Sequence, residues 1–147
     1  MSRAAVTLAL LFSGLAALVY QVLWTRLLGF VFGTPSEAIG SVLAVFFAGM
    51  ALGNWWAARR LARVRRPLRV YGALELGIGV WALVSLPLLR SLPALYGWVG
   101  GDPGPLATAA LRLSTTAVLL LPPTIAMGAT LPVVARGVVG DDATLGR

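Results

Sequence analysis

The chain has 147 residues, 59% of them hydrophobic and only 12% charged, with a mean hydropathy of +0.87. So little charge cannot cover a soluble domain, and the composition is that of a membrane protein. The net charge of +7 rests on arginine alone, and the absence of Cys and His excludes disulfides, thiolate or imidazole metal sites, and Cys or His nucleophiles.

The remaining acids, Glu37, Glu75, Asp102, Asp141 and Asp142, are scattered and give a paired-carboxylate mechanism little to use. No catalytic, cofactor-binding or metal-ligating residue is expected. Four apolar stretches, at 4–32, 36–58, 70–89 and 106–135, each reach the ~20 helical residues that a bilayer core requires. The predicted fold class is all-α, a polytopic membrane bundle of about four transmembrane helices.

The first stretch opens with MSR and AAVTLALLFSGLAALV, the pattern of a basic start followed by an apolar segment. It continues through YQVLWTRLLGFVF, so a retained span is expected rather than a cleaved signal peptide. Arg26 lies 23 residues beyond Arg3, about 34 Å along a helix, and is expected to snorkel at the far interface. The GTPS turn, Gly33 to Ser36, supplies a proline and a capping serine, which predicts a tight hairpin into the second stretch.

GMALG, Gly49 to Gly53, is a small-xxx-small pair, and Ala73 with Gly77 repeats the spacing in the third stretch. Close packing of spans two and three is the expectation. Asn54 and Glu75 fall five residues before Arg59 and six after Arg69, each about 8 Å into the bilayer. A polar clasp of Asn54, Glu75 and Arg59 is therefore predicted, in which Glu75 bonds Asn54 or pairs with the arginine. The other reading is that Glu75 takes up and releases a proton during transport.

Between these two stretches lies RRLARVRRPLR, with arginine at 59, 60, 63, 65, 66 and 69. Short arginine-rich loops stay cytoplasmic, so Arg59, Arg60, Arg63, Arg65, Arg66 and Arg69 are read as the topology anchor. That places both termini in the cytoplasm and brings the loop to anionic lipid headgroups. Nucleic acid is not an expected partner, because no folded reading module accompanies the basic run.

SLPALYGWVGGDPGP, Ser91 to Pro105, has three prolines and four glycines and reads as a loop with room for a short interfacial helix near Tyr96 and Trp98. VGGDPG within it imitates a nucleotide-cradling loop but lacks the preceding strand. Arg112 is 24 residues from Arg136 and is placed near the outer surface. In the fourth stretch, Pro122, Pro123 and Pro132 free backbone groups that need partners in the protein or in a wet cavity. A kinked helix and a broken, site-lining helix both fit.

Three segments carry a resemblance: SGLAALVYQVLWTRLLGFVFG, FAGMALGNWWAARRLARVRRPLRVYGALELGIGVWAL and LPPTIAMGATLPVVAR. Together they resemble the amino-terminal membrane segment of bacterial spermidine synthase-like proteins, in which a transporter-like helical region is fused to an aminopropyltransferase domain. The resemblance implies an inner-membrane location, further spans and a cytoplasmic Rossmann-like domain that moves an aminopropyl group from decarboxylated S-adenosylmethionine to putrescine. None of that domain's residues map onto this chain, so a fragment or truncated unit is expected. The stretch after Gly53 is also similar to the loop between spans two and three of major-facilitator transporters, which would give its arginines a gating role beside simple orientation. Two small-residue faces and a kinked span imply either missing spans or a homo-oligomer.

Overall fold

A computed structural model describes the backbone of residues 3–33, 35–60, 64–98 and 104–145. The described chain is four helices: α1 (Arg3–Phe32), α2 (Pro35–Arg60), α3 (Pro67–Trp98) and α4 (Pro105–Leu145). It contains no strand among the described residues. All four helices are long and apolar enough to cross a membrane, over Ala4–Phe32, Ala38–Arg60, Pro67–Gly97 and Pro105–Gly137.

The helix boundaries follow local chemistry. α2, α3 and α4 each begin on a proline, whose fixed φ suits the first helical position and whose missing N–H would have had no intrahelical acceptor there. Gly33 ends α1 in the left-handed region at φ 76°, and its N–H still bonds the Gly29 carbonyl. Gly104 adopts φ 85° immediately before α4.

α3 differs from the expected pattern at its far end. Ser91 to Trp98 continue the helix instead of forming a loop, and Pro87 and Pro93 lie inside it. Along this stretch the Ser91 hydroxyl donates to the Leu88 carbonyl, while Leu92 stays buried. Apolar burial on one face keeps the helix going past its prolines. Most of the stretch VGGDPG, including Asp102, lies outside the described residues, as does Arg63.

α4 is the centre of the bundle. Over its most apolar stretch 56% of its residues are buried, against 6% for α1. It packs most extensively on α2, then on α3, while α1 lies mainly against α2. One apolar cluster joins Trp24 and Leu28 of α1, Val42 and Phe46 of α2, Ile78 and Leu89 of α3, and Leu120 of α4. A smaller one joins Ala57 with Ala129 and Val133 nearer the arginine-rich end. Large apolar side chains such as Leu11, Phe12, Leu76, Leu83 and Val118 face outward, as lipid-facing surfaces require.

The close helix pair is α2 with α4, which corrects the expectation for spans two and three. No Cα of α2 comes within 8 Å of one of α3 among the described residues. Methyl groups placed on Gly49, Gly53 and Gly128 would run into Thr124, the Ile125 carbonyl and the Met50 carbonyl, respectively. The glycines of GMALG thus admit the backbone of α4, which then stands between α2 and α3. Gly77 has open space where a methyl would go, so Ala73 and Gly77 form no comparable seam.

Candidate functional site

An ionisable group inside a span is a functional candidate by default, and Glu75 is such a group. Its carboxylate accepts a hydrogen bond from the Ser13 hydroxyl of α1, with Ser13 Oγ 2.6 Å from Glu75 Oε1. Tyr71, one turn earlier on the same face of α3, stands close beside both Ser13 and Glu75. All three side chains are half-buried. Glu75 lies eight residues into α3 and Ser13 ten into α1, which puts them ~12 and ~15 Å along two helices that start at the same end.

The predicted clasp is not what gathers here. Asn54 is exposed on α2 and does not meet Glu75, because α4 separates α2 from α3. Arg59 does not pair with Glu75 either. Its guanidinium lies 4.0 Å from the centroid of the Trp55 ring, and that of Arg60 lies 5.5 Å from the Trp56 ring centroid. Both pairs are one helical turn apart on exposed faces, an arrangement in which cation–π attraction and interfacial aromatics coincide. Arg65, Arg66 and Arg69 are likewise exposed, so the described arginines of the connection gather at one end of the bundle.

The opposite end has its own cation. Arg112 is half-buried, and its Nη2 donates to the Phe32 carbonyl at 3.1 Å. A positive charge there meets the negative end of the α1 dipole and one of its unpaired carbonyls. The Phe32 ring lies beside Tyr96, with centroids 5.9 Å apart, and the Tyr96 hydroxyl is 3.4 Å from that of Thr115. Arg112 is therefore a helix cap in place, and it ties α4 to the end of α1.

The proline break in α4 also finds a partner in the protein. Pro123 has no N–H to offer the Leu119 carbonyl, and the Trp81 indole N–H donates to that carbonyl at 2.8 Å. Thr124, Thr116 and Thr130 are buried, and their hydroxyls bond carbonyls of their own helix. α4 runs as one helix through Pro122, Pro123 and Pro132.

No family model, curated protein or solved structure matches this chain.

Chemically, the Glu75 cluster is one carboxylate with two hydroxyls. It can hold a proton or a small cation at depth, and it can fasten α1 to α3. Among the described residues, no group of three or more acidic, Cys or His side chains gathers to hold a metal ion. Sequence reasoning found Glu75 but missed both partners. Tyr71 was within reach, since it stands four residues before Glu75 on a helix; Ser13 required knowing that α1, not α2, faces α3.

Proposed function

We propose that this chain is the membrane unit of a bacterial spermidine synthase-like protein, and that it holds a cytoplasmic aminopropyltransferase domain at the inner face of the plasma membrane. The sequence pattern carries the reading: YQVLWTRLLG in α1 and PPTIAMGATLP in α4 occur together with the arginine-rich connection. Four membrane-length apolar helices support it. So does the concentration of arginine at one end of the bundle, which orients that end to the cytoplasm with both termini. The unit's own role is then mechanical, with anionic lipid at its basic end.

Sequencing the gene beyond the codon for Arg147 and weighing the native polypeptide tests this reading. It expects an in-frame continuation, or an adjacent subunit, with a strand followed by a glycine-rich acidic loop. A native protein that ends at Arg147 in an operon without such a domain would overturn it.

The Ser13–Tyr71–Glu75 cluster favours a second reading, a transporter-like unit for a small cationic solute. Uptake of a labelled diamine by proteoliposomes containing only this chain, abolished by Glu75→Gln, would shift the assignment to transport.

A further inference from the structure

Arg26 sits on the outward face of α1. It is exposed, and no acceptor among the described residues bonds it. Towards the middle of the helix it closes a groove of about 380 Å³ lined by Leu18, Val19, Val22 and Leu23. On its other side it borders a hollow of about 610 Å³ walled by Gly29 and Phe30 of α1, Gly33 just beyond it and Ile39 of α2. One cation thus stands between two apolar depressions that run along the outside of the bundle.

Its depth specifies what can satisfy it. The apolar span Ala4–Phe32 is centred on Leu18, eight residues from Arg26, so the Arg26 backbone is ~12 Å from the midplane of a core whose half-thickness is ~15 Å. The side chain then brings its guanidinium to the boundary between acyl chains and headgroups. A carboxylate from a second copy would be the protein alternative. Glu75 does not serve, since it lies in the opposite half of the bundle and is held by Ser13; Glu37, near the start of α2, is the acid that a second copy could bring.

We propose that this face is a binding site for one anionic phospholipid, in the leaflet opposite the arginine-rich connection. The Arg26 guanidinium holds the lipid phosphate through charge-assisted, bidentate hydrogen bonds. One acyl chain lies over Leu23, Val22, Val19 and Leu18, the glycerol follows on the membrane side of the phosphate, and the headgroup beyond the phosphate enters the hollow beside Gly29 and Gly33. The inference is independent of which domain the unit anchors.

The test is native mass spectrometry of the full chain in mild detergent, titrated with phosphatidylglycerol or with phosphatidylcholine of the same acyl chains. One phosphatidylglycerol adduct is expected, retained about tenfold better than phosphatidylcholine. Arg26→Gln should weaken it about tenfold or more by removing the phosphate contact. Val22→Trp keeps the cation but fills the groove, and should weaken it as well; Arg90→Gln, at an exposed arginine of α3, should not. Retention of the adduct in either Arg26→Gln or Val22→Trp would overturn the proposal, as would equal loss in Arg90→Gln. A lipid-free dimer that Arg26→Gln dissociates would overturn it too, and would assign the face to a second copy of the chain.

Discussion

The indole N–H of Trp81 on α3 donates to the Leu119 carbonyl of α4 across 2.8 Å, and Leu119 is four residues before Pro123. The side chain of one helix therefore replaces the backbone donor that proline removes from its neighbour. Trp81→Phe keeps an aromatic ring but leaves the carbonyl without its donor, and should cost about 1–3 kcal/mol. Adding Pro123→Ala restores an intrahelical N–H, so the Trp81→Phe penalty should shrink by at least half in that background. Thermal unfolding in detergent of the four proteins of this cycle checks it; equal penalties in both backgrounds would show that the indole contributes packing only.

Close approach of α2 and α4 makes a second, sharply positional prediction. Gly53→Ala places a methyl against the Ile125 carbonyl, and Gly128→Ala places one against that of Met50. Neither backbone can step aside without opening the helix pair, so each should cost about 3 kcal/mol, the upper range for overpacking. Gly77→Ala meets open space and should be neutral or gain about 0.5–1 kcal/mol from reduced backbone entropy. Melting temperatures of the three variants should separate into those two groups.

Much of this architecture is legible in the sequence, because apolar runs of membrane length and prolines at helix starts are local signals. Four helices follow from them directly. What the sequence does not carry is which helix lies beside which. The spacing of Gly49 and Gly53 marks a close contact correctly, but the partner is α4 rather than α3, since any small-residue face can receive another helix. The same ambiguity sent Asn54 towards Glu75. Depth matched, yet depth is shared by every helix in the bundle, and Ser13 stands at the same height on the helix that does face α3. The far half of α3 was misread for a different reason: prolines in a membrane helix are tolerated where packing holds the segment, and burial of Leu92 is not visible from composition.

Ser13 and Glu75 should be energetically coupled, and Asn54 and Glu75 should not. A double-mutant cycle of Ser13→Ala with Glu75→Gln is expected to give a coupling of about 0.5–1.5 kcal/mol, in keeping with one hydrogen bond between membrane helices. The cycle of Asn54→Ala with Glu75→Gln should be additive to within about 0.5 kcal/mol. Coupling in the second cycle and none in the first would return the clasp to α2.

Orientation can be read without a background signal because the chain has no cysteine. Single cysteines at exposed Arg65 and at exposed Ala107 lie at opposite ends of the bundle. A membrane-impermeant maleimide added to intact bacterial spheroplasts should label Ala107→Cys and spare Arg65→Cys until the membrane is permeabilised. Reversed labelling would show that the arginines do not fix the cytoplasmic side.

The anchoring role is tested most directly by measuring aminopropyl transfer in membranes that contain this protein in its native host. Washed membranes supplied with labelled decarboxylated S-adenosylmethionine and putrescine should form labelled spermidine, and the activity should co-purify with the tagged membrane unit after gentle detergent extraction. Pure, intact preparations of the native protein and its bound partners that transfer no label would contradict the assignment.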